Sequence, residues 1–269
     1  MLRLRTKKWI GAFFLFICCM TSVALAASGN GAREDNPEAA IRKLFPRLPV
    51  SSVTKTDIDG FYEVVADGNV LYVHLKSGHI FVGDLYTREG RNLTAEARSR
   101  FAADRLKLLT DADKKLAVKV GNGKHVVIEV TDPDCPFCRK MHEYWARRPD
   151  VTRYVFFLPL SIHPNAEKKA RYILAAENKE LALWEVYSGE LDNNREKLDK
   201  PYDDKGLLAA QRAVVTKLGV QSTPTFWVDG KYVSGANIPL IESIIGKCKL
   251  SEGVKPGAAA ACEDEGEKK

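Results

Sequence analysis

Two cysteines separated by two residues, Cys135-Pro136-Phe137-Cys138, are the part of this 269-residue sequence best suited to covalent chemistry. They follow the β-rich run Val126-Val127-Ile128-Glu129-Val130 and the loop Thr131-Asp132-Pro133-Asp134, and they open a segment with helical character that runs to Trp145. Thiols at the start of a helix meet unpaired backbone N–H groups and the positive end of the helix dipole, both of which favour a thiolate. Cys135 is therefore expected to be the attacking thiolate and Cys138, one turn further in, the resolving thiol. Pro136 suits a helix start because no N–H is needed there. Two other readings of the motif stay open at this point. It could be a structural disulfide, or half of a metal site whose third ligand would be His142, four residues beyond Cys138 and so on the same helical face. The sequence holds no second C-x-x-C to complete such a site, and neither a metal nor another cofactor is expected.

The elements that must hold this pair can be read around it. Val126 to Val130 has the length and character of a buried strand. Tyr154-Val155-Phe156-Phe157-Leu158 makes a second strand, and Glu167 to Ser188 and Lys205 to Lys217 read as helices. Thr225-Phe226-Trp227-Val228 and Asp229-Gly230-Lys231-Tyr232-Val233 form a hairpin, and a last helix runs from about Pro239 to Lys247. This order is an α/β layout with both parallel and antiparallel pairing.

Upstream, Pro37 to Phe45 has apolar residues at helical spacing behind a proline suited to a first turn. Phe61 to Ala66, Val70 to Leu75 and His79 to Tyr86 then alternate between the turn signals Asp59-Gly60, Asp67-Gly68-Asn69 and Lys76-Ser77-Gly78, which predicts an antiparallel meander. One helix and three or four short strands make a thin core. Val70-Leu71-Tyr72-Val73 and Ile80-Phe81-Val82 would leave an open sheet edge unless covered. Such a unit suits dimerisation, and packing on the second domain is the alternative. From Thr94 to Asp113 the chain reads as a weakly amphipathic helical linker without core-like density. Asn92-Leu93-Thr94 matches a glycosylation acceptor, a motif too short to carry weight.

The N-terminus has Arg3, Arg5, Lys7 and Lys8, an apolar run from Trp9 to Met20, and Ala24-Leu25-Ala26, the three parts of a secretory signal peptide. A membrane anchor is the rival, but the run is shorter than the roughly 20 residues that span a bilayer. Lipoprotein processing at Cys18 or Cys19 is disfavoured by the bulky Phe16-Ile17. Four of the 41 basic residues precede the expected cleavage point and none of the 35 acidic ones does, leaving 37 against 35. The excess of basic residues is thus targeting, and no nucleic-acid partner is expected. Export leaves Cys135, Cys138, Cys248 and Cys262 in a compartment that permits disulfides, too few for a disulfide scaffold and better read as one working and one structural pair.

The strand Val126 to Val130, the Cys135-Pro136-Phe137-Cys138 motif opening a helix, and Ser222-Thr223-Pro224-Thr225 before a hairpin strand together resemble the thioredoxin fold. With the signal peptide, the small N-terminal sheet and the helical linker, the chain from about Pro37 to Gly246 resembles the bacterial periplasmic disulfide isomerase family of DsbC and DsbG. The resemblance implies an α+β, cystatin-like N-terminal dimerisation domain joined by a helical linker to an α/β thioredoxin-fold catalytic domain. The expected boundaries are a signal peptide over 1–26, the dimerisation domain over 36–92, the linker over 93–113, the catalytic domain over 114–250 and a flexible tail over 251–269. It also implies that Pro224 is cis and that Thr223 faces the dithiol and hydrogen-bonds an extended substrate, with Pro136 and Phe137 also against the substrate. Glu129 lies six residues before Cys135, where thioredoxins carry a buried acid, and could accept the proton of Cys138. The other reading is that Glu129 faces solvent.

In two respects the sequence departs from the DsbC members of the family. The helical part of the catalytic domain lacks the second cysteine pair of the DsbC members, and Pro136 is closer to the DsbG pattern. Cys248 and Cys262 lie beyond the last helix, and a bond between them would close a loop of about fifteen residues worth about 3 kcal/mol. The expected activity is disulfide isomerisation in secreted proteins. The alternatives are a DsbG-like reductase of sulfenylated single cysteines and a non-catalytic chaperone or binding module. The expected partners are misfolded or oxidised secreted proteins, a membrane thiol reductase as electron donor, and a second copy of the chain. The expected location is the periplasm.

Overall fold

The computed structural model describes residues 36–248. The expected signal peptide over 1–26, the tail over 251–269 and Cys262 lie outside the described residues. The N-terminal region begins with helix α1 (Pro37–Leu44), capped by the Asn36 side chain and started by Pro37. Strands β1 (Val50–Lys55), β2 (Phe61–Ala66), β3 (Asn69–His74) and β4 (His79–Phe81) follow as an antiparallel sheet in the order β1-β2-β3-β4. Ile41 of α1 seals one face against Val64, Leu71 and Val73. The turn between β2 and β3 is a tight two-residue one because Asp67 and Gly68 both adopt positive φ, 49° and 75°.

Three sequence expectations need correction here. β1 was not anticipated, because Val50-Ser51-Ser52-Val53-Thr54-Lys55 is a largely exposed edge strand with little apolar alternation. β3 is an interior, buried strand and not an edge. β4 ends at Phe81 and does not continue to Tyr86: Gly83 takes a φ of 158° and the chain turns away, with Leu85 N–H donating to the Thr94 hydroxyl. Ile80, Phe81 and Val82 are left exposed on this edge.

Helix α2 (Leu93–Leu106) starts at Asn92, whose side chain accepts from Ala95 N–H. It is more than the spacer its weak amphipathicity implied. Ala97 and Ala102 are buried, Ala102 lies in one cluster with Ile128, Val130, Phe156 and Trp227, and its carbonyl accepts from Trp227 Nε1 at 3.0 Å. Alanine's small side chain lets the helix lie close, so docking needs no dense apolar stripe.

Short helix α3 (Asp111–Lys114) leads into the second sheet, of order β5-β7-β6-β8-β9, built from β5 (Val118–Val120), β6 (His125–Thr131), β7 (Val151–Phe157), β8 (Thr225–Val228) and β9 (Lys231–Ser234). β6 is central, parallel to β7 and antiparallel to β8. Around the sheet lie α4 (Pro136–Trp145), α5 (Ala166–Ala175), α6 (Lys179–Tyr187), α7 (Arg195–Leu198), α8 (Leu207–Leu218) and α9 (Ile238–Ile245). The helix expected over Glu167 to Ser188 is two helices. Ala176 is extended, and Asn178 caps α6 through Leu181 N–H, a local hydrogen bond that competes with continuing the helix. Residues of β6 alternate between layers: Val127 packs with Met141 and Trp145 of α4, and Ile128 and Val130 with Val214 and Val215 of α8. No helix among the described residues is long and apolar enough to cross a membrane.

Candidate functional site

The central strand β6 ends at Thr131, and the chain turns through Asp132, Pro133 and Asp134 to put Cys135 at the N-cap of α4 and Pro136 at its first position. Asp132, fully buried, fixes this turn. Its carboxylate accepts from Asp134 N–H at 2.8 Å, Leu160 N–H at 2.7 Å and His163 Nδ1 at 2.9 Å, and its own N–H donates to Cys138 Sγ at 3.4 Å. Beyond it, Lys169, buried on α5, bonds Asp134 and also Asp192 at 2.5 Å, and Arg139 grips Asp192 at 2.5 and 2.8 Å. The loop carrying the dithiol is therefore tied by charge-assisted bonds to three other segments. Sequence reasoning missed Asp132, His163 and Lys169. The one available signal was Asp132-Pro133-Asp134 before a helix, whose short side chains favour local turns.

Both thiols are free. The Thr223-Pro224 peptide is cis, and the Cys135 thiol donates to the Thr223 carbonyl at 3.8 Å. The Thr223 hydroxyl is buried without a hydrogen-bond partner. Cys135 is nearly covered, and Phe137, 62% exposed, stands beside it. The Cys135 thiol is lowered from an ordinary 9.0 to about 5, first because the Cys138 thiol can donate to its sulfur, then because the Cys138 and Phe137 N–H groups of the first helical turn do the same, with burial opposing. Burial, with Cys135 next to it, pushes the Cys138 thiol far up. The pair thus divides into an ionised and a protonated sulfur at neutral pH.

This sets a pH dependence. Alkylation of the reduced protein by iodoacetamide is expected to rise through about pH 5 and level off, where an ordinary thiol would still be climbing toward 9.0. Because the folded value lies below the unfolded one, the thiolate's contribution to the stability of the reduced protein is complete above about 9 and is lost as pH falls through about 5. Urea midpoints of the reduced protein, compared with Cys135→Ala across that window, check the sign.

Beneath the dithiol lies a buried polar cluster on the α4 face of β6. Glu129 is buried and ion-paired with buried Arg153, Nη1 to Oε2, at 2.9 Å. Burial raises its carboxyl, and Arg153 opposes the shift. The reading of Glu129 as a solvent-facing residue is thereby overturned. Two residues on, the Thr131 hydroxyl meets Tyr187 Oη at 2.9 Å, and its polarity partly offsets the effect of burial on both Glu129 and Cys138. His142 stacks on Tyr187 at 4.9 Å, its Nε2 is buried without a partner, and burial with the nearby Arg153 lowers it to about 3. It is a neutral ring in the core under α4, and no group of three His, Cys, Asp or Glu side chains among the described residues is disposed to hold a metal ion. Cys248 is disulfide-bonded to a partner outside the described residues, where Cys262 also lies.

Two family models match the chain in tandem: the disulfide bond isomerase protein N-terminal domain over residues 28–95 and a thioredoxin-like domain over residues 112–239. The chain is 28% identical over 230 residues to the thiol:disulfide interchange protein DsbC of Escherichia coli strain K12, covering 82% of this chain and 91% of that protein. It is 29% identical over 220 residues to DsbC of Salmonella typhimurium strain LT2, covering 79% and 86%. Among solved structures, a disulfide interchange protein from Neisseria gonorrhoeae is 28% identical, with a TM-score of 0.41, over 49% of this chain and 94% of that one. A DsbC-type N-terminal domain, a thioredoxin-type sheet and a paired cysteine motif occur in one chain. The chain thus carries the N-terminal domain of the disulfide bond isomerases followed by a thioredoxin-like domain, and it is a thiol–disulfide oxidoreductase of the thioredoxin fold.

Proposed function

We propose that the protein is a periplasmic disulfide isomerase, acting as a homodimer, with Cys135 as nucleophile and Cys138 as resolving thiol. The observation that carries this reading is the division of acidity across the pair beside the Thr223-Pro224 loop: a thiolate favoured at Cys135, with a peptide carbonyl 3.8 Å from its sulfur, and a protonated thiol held behind it.

The Cys135 thiolate attacks one sulfur of a wrong disulfide. That S–S bond breaks, one substrate sulfur leaves as a thiolate and the other stays bound to Cys135. If another substrate thiolate then attacks the bound substrate sulfur, a new disulfide forms, Cys135 leaves as thiolate, and no net electrons are exchanged. If Cys138 attacks Cys135 instead, the substrate leaves reduced and the Cys135–Cys138 disulfide remains, which needs a membrane thiol reductase to restore it. For this attack Cys138 must lose its proton, and Glu129 is the acceptor, held in place by Arg153 and made more basic by burial. Thr223 receives the substrate backbone as an added strand, with Pro136 and Phe137 along its side. Misfolded or oxidised secreted proteins are the substrates.

The exposed edge of β4 supports the homodimer, since an open row of backbone groups flanked by exposed Phe81 and Val82 invites pairing with a second copy. Replacing Phe81 and Val82 together by lysine in the full chain is expected to give a monomer by sedimentation. That monomer should retain dithiol reductase activity and lose recovery of scrambled, oxidised ribonuclease. A double variant that still sediments as the wild type, or a wild-type protein that recovers no ribonuclease, would overturn the reading.

A further inference from the structure

The Thr223-Pro224 loop is held from two sides. Downstream it is fastened within its own sheet, with Gly235 N–H donating to the Pro224 carbonyl at 2.9 Å and the Thr225 hydroxyl donating to the Ser222 carbonyl at 2.8 Å. Upstream it is fastened to the N-terminal sheet. The Gln221 side chain accepts from Asn69 Nδ2 at 3.1 Å and donates through Nε2 to the Asp67 carbonyl at 2.6 Å, so both ends of its amide are engaged by the β2–β3 turn.

The backbone around this contact is unusually close. A Cβ added at Gly68, at the tip of the turn, would lie 2.6 Å from the Gly219 carbonyl oxygen, and one added at Gly219 would lie 3.1 Å from the Phe101 ring of α2. Gly219 is thus enclosed between the turn and the linker helix, and Arg105 of that helix reaches the Lys217 carbonyl at 3.3 Å. Gln221 precedes Thr223 by two residues, and planar peptides of fixed length pass a displacement of one on to the other.

We propose that Gln221 is a positioning residue through which the Asp67–Asn69 turn sets the Ser222–Pro224 loop against the dithiol, and with it the affinity for an extended, disulfide-linked peptide. The proposal rests on the reading above in which this loop receives the substrate chain. On this account the N-terminal region contributes to substrate binding within a single chain, independently of any dimer contact.

The test uses pre-reduced full-length protein in single turnover. The probe is a short extended peptide whose one cysteine carries thionitrobenzoate as a mixed disulfide. The Cys135 thiolate attacks the peptide sulfur, the S–S bond breaks, and thionitrobenzoate leaves as the coloured thiolate. The comparison probe is the symmetrical bis-thionitrobenzoate disulfide, which has no backbone for the loop to hold. For Gln221→Ala and for Asn69→Ala, the half-saturating peptide concentration is expected to rise about two- to fivefold, the size of one or two exposed neutral hydrogen bonds. The maximal rate, the rate with the small disulfide, and sedimentation should stay at wild-type values. The double variant should show no more than the larger single effect, because the two side chains act as one contact.

Unchanged half-saturation in both single variants, effects that add in the double variant, or an equal loss with both probes would overturn the positioning role. A wild-type protein showing no Cys135-dependent release of thionitrobenzoate would instead remove the functional reading, and this proposal with it.

Discussion

Replacing Cys135 by alanine is expected to reduce recovery of scrambled ribonuclease to the rate of the redox buffer alone, while Cys138→Ala should accumulate a covalent complex with the substrate. The asymmetry follows from the positions of the two sulfurs. Cys135 sits at the N-cap, where N–H groups of the helix start and the Cys138 thiol lower it to about 5, so it is ionised and attacks. Cys138 is fully buried behind it and held protonated by burial. Without Cys135 no bond to substrate can form. Without Cys138 the bond forms and is released only when a substrate thiolate attacks it, so the mixed disulfide should build up on non-reducing gels and vanish with added thiol. Equal trapping by the two variants, or recovery that survives loss of Cys135, would contradict the assignment.

The second large effect concerns stability. Glu129→Leu is expected to cost about 3–5 kcal/mol in urea unfolding, because it leaves the Arg153 guanidinium buried and uncompensated. Replacing both residues, Glu129→Leu with Arg153→Met, should recover most of that loss, since an apolar pair of similar volume avoids the desolvation of two charges. The folded double variant then isolates the chemistry. If Glu129 takes the proton of Cys138, release of a preformed Cys135 mixed disulfide should slow by about a hundredfold at neutral pH, the scale of one positioned general base. Release at the wild-type rate would reduce the Glu129–Arg153 pair to a structural one.

The cluster also explains why α4 begins where it does. Thr131, Tyr187 and Asp132 occupy the space beneath Cys138 with hydrogen-bonded groups, so the turn into α4 is supported by polar contacts on one side and by Met141 and Trp145 packing on Val127 and Phe226 on the other. A site built on the end of a central strand and the first turn of a helix is held by both ladders, which suits sulfurs whose mutual distance must not drift.

Much of this was legible in the residues. Cys135-Pro136-Phe137-Cys138 between a β-branched run and helix formers points to a dithiol at a helix start, because strand and helix periodicities and the helix-terminus field are local physics. The Asp67-Gly68 and Asp229-Gly230 turns were equally readable, since left-handed backbone at both central positions favours such residues. What stayed hidden depends on groups far apart in sequence. Glu129 could face solvent or core until Arg153, 24 residues away, was seen to pair with it in the interior. Lys169 carries no signal in the sequence, and only the fold brings Asp134 and Asp192 onto it. Ala97 and Ala102 gave no apolar stripe, yet their small size lets α2 dock and hold Trp227. Gln221 carries no motif, and only the fold brings Asp67 and Asn69, more than 150 residues earlier, onto its amide. Local chemistry written in short spacings was determined by the sequence itself; which charges are buried together, and which turn braces which loop, was decided only when the chain closed on itself, because desolvation and pairing are properties of the assembled interior.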